Sequence, residues 1–256
     1  MTESVMISMT TNGILVELHL NFPMKNTIKL HSEKIISTIS ILEKRIADRF
    51  PESGLRQTCA DFLLIAKKSK SNINWLIKPN LPLRMFSYLI ISLGLGGIIY
   101  SVSYVEFKIE DTTLSNIIAL SEAVFNDIIL LGAAIFFLIG MEAKLNRKKS
   151  LEMLNELRVT AHVIDMLQLT KDPSLINTPE TSTLNSPKRT LTKFEMERYL
   201  DYSSELASLI AKVGALYSQS LPDEVVVRAV NEIEILCTGL SRKIWQKIMI
   251  LNQLKN

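Results

Sequence analysis

The sequence predicts a mostly α-helical membrane protein. It combines a two-helix transmembrane hairpin, a small N-terminal α/β module and a C-terminal cytoplasmic antiparallel three-helix bundle continuous with the second span. Three observations carry this reading: two long apolar runs interrupt the chain, basic residues crowd the outer flank of each, and acidic residues fill the connection between them. At 47% hydrophobic the chain exceeds an ordinary soluble composition, and the two runs account for the excess.

The first run, Met85 to Val105, holds twenty-one residues without a charge between Arg84 and Glu106. At 1.5 Å per residue it spans about 31 Å, the thickness of a bilayer core. Tyr88, Tyr100 and Tyr104 lie toward its ends, where aromatic belts form. The second run, Ile128 to Met141, has fourteen residues closed by Asp127 and Glu142. That is about 21 Å, a length that also suits the core helix of a soluble domain. Extension through Ser121–Asp127, with Lys144 and Arg147 snorkelling to the surface, makes it a span of residues 123–143.

The flanking charges orient the pair. Lys67, Lys68, Lys70, Lys78 and Arg84 precede the first run, and Lys144, Arg147, Lys148 and Lys149 follow the second. Glu106, Glu110, Asp111, Glu122 and Asp127 lie between them against Lys108 alone. The positive-inside rule therefore puts both termini in the cytoplasm and the 106–122 connection outside. No cleavable signal is expected, because "MTESVMISMT" lacks a basic stretch before an apolar one.

Residues 1–68 read as the α/β module. Val5, Ile7 and Met9 alternate with polar residues, Asn12-Gly13 supplies a type I′ turn, and Ile14, Val16, Leu18 and Leu20 alternate again. Two amphipathic helices follow, with stripes Ile35, Ile39, Leu42, Ile46 and Leu55, Cys59, Phe62, Ala66, separated by Pro51-Glu52-Ser53-Gly54. His19 and His31 are expected at the surface or at a strand edge. Residues 69–84 form a basic linker, 85–143 the membrane hairpin, and 144–256 the bundle.

The bundle is read from periodicity. Leu154, Leu157, Ala161 and Ile164 form a stripe with no Gly or Pro after Gly140, so the second membrane helix continues into the cytosol. A polar, Pro-dotted loop occupies 170–191. Thr192 and Glu195 make a capping box, opening a helix that packs through Leu206, Leu209, Ile210, Val213, Leu216 and Tyr217. The last helix carries Val226, Val230, Ile233, Cys237, Leu240 and Ile244 as a heptad seam. The helices 142–169, 192–219 and 223–250 are equally long, as antiparallel neighbours should be.

Little catalytic chemistry is legible. No GxGxxG, P-loop, HExxH or GxSxG occurs, and Cys59 and Cys237 sit on apolar faces without a neighbouring His, so no cofactor or metal is expected. An acid–base role for His162 and Asp165 would need Tyr199 or Glu205 to converge on them. Lys188 and Arg189 in "SPKRT" form a candidate anion contact beside a helix start. Arg242, Lys243 and Lys247 around Trp245 read as a charged bundle face. The net charge of +3 is too small for a nucleic-acid footprint.

The apolar runs offer more. Ser92/Gly96 and Gly97/Ser101 are small-xxx-small pairs that let helices approach closely in lipid, either within one chain or between two. With the heptad seam they point to self-association. Asn126 and Asp127 read as an interfacial helix end, where the dipole favours a carboxylate, or as intramembrane polar groups lining a pore.

"LIISLGLGGIIY" and "IILLGAAIFFLIG", with the second helix running on as "MEAKLNRKKSLEMLNELR", resemble in layout the SLATT family of two-span membrane effectors. The resemblance covers residues 85–165 and implies pore formation in a bacterial membrane. "AHVIDMLQLTKDP" and "GLSRKIWQKIMIL" are similar to segments of uncharacterised bacterial membrane proteins. The expected function is thus non-enzymatic. A homo-oligomer in the bacterial inner membrane, in contact with lipid, presents cytoplasmic domains to a protein partner as a scaffold or sensor. The alternative is an oligomeric pore gated by those domains.

Overall fold

The computed structural model describes residues 4–11, 14–21, 29–78, 81–104, 114–175, 185 and 190–253. The chain divides into two units, residues 1–31 and 32–256. In the first, β1 (Ser4–Thr11) and β2 (Ile14–Asn21) pair antiparallel, with Val5 opposite Leu20, Ile7 opposite Leu18 and Met9 opposite Val16. The Asn12-Gly13 turn lies outside the described residues.

The second unit is helical throughout its long elements: α1 (Ser32–Arg49), α2 (Gly54–Ile77), α3 (Leu81–Tyr104), α4 (Leu114–Leu167), α5 (Lys193–Ser220) and α6 (Glu224–Gln253). A single 3-10 turn, Pro173–Leu175, follows α4. The expected N-terminal α/β module does not form. Both of its helices belong to the helical unit, where α1 packs on α5 and α2 packs on α4 and α5. The physical reason lies in their stripes. Ile39, Ile46, Leu55, Cys59 and Phe62 are all 0% exposed, a burial that a two-stranded ladder is too small to provide and that the long helices do provide.

The three-helix bundle is corrected for the same reason. Five elements, α1, α2, the second half of α4, α5 and α6, share one core. The basic linker at 69–84 is corrected too: α2 runs on to Ile77, burying Ser69, Ile73 and Leu76 as a continuation of the Phe62–Ala66 stripe. It stops where the Lys78 N–H turns back to the Trp75 carbonyl ahead of Pro79, a residue that disfavours helix before it.

Gly54 lies against Leu167, Lys68 against Glu156, Arg84 against Glu142 and Gly94 against Leu131, so α2 and then α3 both run antiparallel to α4, and the body has two ends. At one end Phe50 packs edge-on against Tyr199 at 5.5 Å, and Gly54 lies under Leu167. At the other, Arg147 of α4 meets Asp223 at the start of α6, and Lys70 pairs with Glu33. This second end is where α2 hands over to α3 and where α4 enters the body. Helix starts follow local chemistry. The Ser53 hydroxyl accepts the Arg56 N–H at 3.2 Å, and Thr192 and Glu195 form the reciprocal capping box expected of them.

The two-helix transmembrane hairpin needs correction as well. Among the described residues one helix is long and apolar enough to cross a membrane, within Phe125–Leu167 of α4.

Candidate functional site

The feature that sets this molecule apart is α4, 54 residues without a break. Its two halves obey different patterns. From Met153 onward one apolar stripe is buried, with Met153, Leu154, Leu157, Ala161 and Ile164 at most 2% exposed. From Ile128 to Met141 the helix carries no charged side chain, and Ile128, Ile129, Leu130, Phe136 and Phe137 are exposed, as is Phe125 one turn earlier. The choice between core helix and span turns on this point. Only 6% of its most apolar eighteen-residue window is buried inside the protein, whereas a core helix would be covered.

α3 lies along this apolar half of α4. It too exposes large apolar side chains, among them Met85, Phe86, Tyr88, Leu89, Leu93 and Ile99. The two helices approach closely at Gly94, where an added Cβ would stand 2.7 Å from Leu131 Cδ1. The small-residue pairs lie elsewhere. Around Gly96 and Gly97 an added Cβ would meet nothing within 4 Å, and the exposed Ser92 hydroxyl donates to the Leu89 carbonyl of its own helix. The Ser101 side chain is outside the described residues. Gly94 was invisible to a search for small-xxx-small spacing because its partner is a leucine on the other helix.

Asn126 and Asp127 are both exposed. Asp127 borders a groove of about 510 Å³ between α3 and α4, walled by Gly94, Gly97, Leu130, Leu131 and Ala134. Lys188 and Arg189 lie outside the described residues. The heptad residues Val226, Val230, Ile233, Leu240 and Ile244 are 0–3% exposed and pack chiefly against α5. They form an intrachain seam.

The junction between apolar arm and body is charged. Arg84, which opens the apolar stretch of α3, stands 3.6 Å from Glu142, which closes that of α4. A cleft of about 370 Å³ lies beside them, lined also by Ser87, Tyr88, Ile91, Ile135 and Leu138. One turn further into the body, Arg147 grips the Asp223 carboxylate through Nε at 2.9 Å and Nη2 at 2.8 Å. Lys149 lies 3.8 Å from the centroid of the Trp75 ring. In the sequence Arg84 and Glu142 read only as the ends of apolar runs; that they meet is a tertiary fact.

The groups suggested for acid–base chemistry do not assemble. His162 is exposed, Asp165 pairs with Lys243 at 3.4 Å, and Glu205 takes both terminal nitrogens of Arg45 at 2.8 and 3.1 Å. Burial pushes the Tyr199 phenol up to about 12. Burial likewise pushes the Cys59 and Cys237 thiols up to about 12 and about 11, and both cysteines are free. Lys247 is also removed from bulk water; its ammonium donates to the Gln168 carbonyl at 2.6 Å, and burial lowers its pKa. Among the described residues no group of three or more His, Cys, Asp or Glu side chains is arranged to hold a metal ion.

The chain matches no protein-family model, no curated protein and no solved structure.

Proposed function

We propose that this is a non-enzymatic integral membrane protein that self-associates and presents its helical body to a cytoplasmic partner, as a scaffold or sensor. The observation that carries the reading is the change of pattern within α4. One unbroken helix is apolar on every side from Ile128 to Met141 and buries one stripe in the helical body from Met153 onward. Exposed phenylalanines and isoleucines at this density find a stable environment in lipid.

Orientation follows from charge. Lys144, Arg147, Lys148 and Lys149 follow the apolar half of α4 on the side of the body. The body accordingly lies on the cytoplasmic face of a bacterial inner membrane. Self-association draws on the open face around Ser92 and Gly96, where backbone can approach backbone. The test is the mass of the full chain in nanodiscs by native mass spectrometry. A defined oligomer supports the reading, and a strict monomer removes self-association from it.

A second reading, an oligomeric pore gated by the body, draws on one specific observation: the Asp127 carboxylate borders an open groove beside Gly94 and Gly97. Ion leakage from reconstituted vesicles, abolished by Gly96→Leu, supports the pore. An oligomer that never leaks leaves the scaffold.

A further inference from the structure

We propose that the end of the body from which the apolar half of α4 emerges docks on an anionic bilayer surface, with Lys78, Lys144 and Lys148 on lipid phosphates. The inference rests on the membrane reading above and needs only α4 to enter the bilayer. Height along α4 selects the residues. The apolar stretch closes at Met141, and at 1.5 Å per residue Lys144, Arg147 and Lys148 stand about 4 to 11 Å beyond it. The headgroup layer of a bilayer is about 5 to 8 Å deep, so these side chains end within it or at its edge. The end of α2 stands at the same height. Lys149 lies 3.8 Å from the centroid of the Trp75 ring, and α2, antiparallel to α4, carries Ile77 and Lys78 further toward the membrane.

Charge at this end is one-sided. Asp223 is taken by Arg147 at 2.8 Å, Glu224 by Arg228 at 2.9 Å, and Glu142 stands beside Arg84. The surplus is therefore positive and belongs to Lys78, Lys144 and Lys148, all exposed. The opposite end of the body is mixed, with Asp48, Glu52 and Asp172 among Lys44, Arg49 and Lys171. Beside α4 a recess of about 530 Å³ is lined by Lys144, Arg147, Lys148 and Leu151, with Glu152 and Asn155 on the side away from the apolar stretch. A phosphate approaching from the membrane thus meets the lysines first. A zwitterionic surface presents as much cation as phosphate, whereas an anionic one favours each lysine about fivefold. Ile77 is 64% exposed next to Lys78, an apolar side chain that gains from the interfacial layer of a bilayer and not from a soluble polyanion.

The full chain is reconstituted in nanodiscs of equal parts phosphatidylcholine and phosphatidylglycerol, and the lipids it retains are counted by native mass spectrometry. Phosphatidylglycerol should exceed phosphatidylcholine about fivefold or more. Lys78→Gln, Lys144→Gln and Lys148→Gln should each lower that excess, and the three together should abolish it. Lys44→Gln, at an exposed position at the far end of the body, should leave it unchanged. Equal retention by the unaltered chain, or an excess that survives the triple substitution, overturns the assignment. The two tryptophans, one toward each end, test which end docks. In Trp245→Phe the fluorescence of Trp75 should be quenched by lipid carrying a nitroxide on its headgroup, and in Trp75→Phe that of Trp245 should not. Unquenched Trp75 or quenched Trp245 overturns docking through this end. Alkaline carbonate extraction from vesicles of the same lipids separates the two levels. Release of the protein overturns the membrane reading and the docking with it, whereas a membrane-retained protein without the phosphatidylglycerol excess overturns the docking alone.

Discussion

Arg147 and Asp223 tie the long helix α4 to the start of α6. The guanidinium holds the carboxylate through Nε and Nη2 at 2.9 and 2.8 Å, while Asp223 Oδ1 also accepts the Val225 and Val226 N–H groups at the start of α6. One carboxylate thus caps α6 and anchors it to α4. Arg147 and those backbone amides hold its pKa below the ordinary carboxylate value of 3.8.

Asp223→Ala should cost about 2 kcal/mol of stability by losing both roles, and Asp223→Asn about half that, since an amide oxygen still caps. Thermal unfolding in detergent, followed by circular dichroism, checks the order. Because the folded pKa is depressed, the ionised group stabilises fully above its unfolded value. That contribution disappears as pH falls below about 4 through the folded pKa. The acid side of the stability profile should therefore flatten in Asp223→Asn.

Gly94 and Gly96 should respond differently to a bulky side chain. An added Cβ at Gly94 overlaps the tip of Leu131, which can swing aside for a methyl group but not for a branched chain. Gly94→Ile should thus push α3 from α4, widening the distance between spin labels placed at the exposed Tyr88 and Phe137. Gly96→Ile should leave that distance unchanged, because open space surrounds it.

Ile233 is 0% exposed and touches the α5 backbone side at Gly214, whose added Cβ would lie 3.8 Å from Ile233 Cγ2. Ile233→Ala should lower stability by about 3 kcal/mol, the usual penalty of a buried cavity. The subunit number of the folded protein, measured in nanodiscs, should stay the same. A drop in subunit number without loss of stability would show that the α6 seam joins copies after all.

Cys59 and Cys237 should be inert in the folded protein. Burial keeps both thiols protonated far above neutral pH, and the thiolate is the reactive form. Maleimide labelling at pH 8 should be absent until denaturant is added. Labelling of either residue under native conditions would mean that the body opens locally.

Much of the secondary structure was legible because it follows from local rules. The stripes Ile35–Ile46 and Leu55–Ala66, the Thr192 capping box and the 4-3 spacing of α6 each describe a helix and the face it must hide. The error at the basic linker was also local in origin. Lys67, Lys68 and Lys70 give the segment a linker-like charge, while Ser69, Ile73 and Leu76 continue the buried stripe of α2.

By itself, then, the sequence determined the cores of most helices, the apolar face of each, and where charge borders an apolar run; it did not set the ends, since α2 runs on to Ile77 and α4 begins at Leu114 within the expected 106–122 connection. Only the tertiary structure decided which faces meet. A stripe specifies that it must be covered and carries no address. The helices of the expected α/β module were thus free to join α4, α5 and α6, and the heptad seam closed on α5 within the chain. The junction is the clearest case. Arg84 and Glu142 are far apart in sequence and stand 3.6 Å apart in the fold, because antiparallel helices align the start of one apolar run with the end of the other.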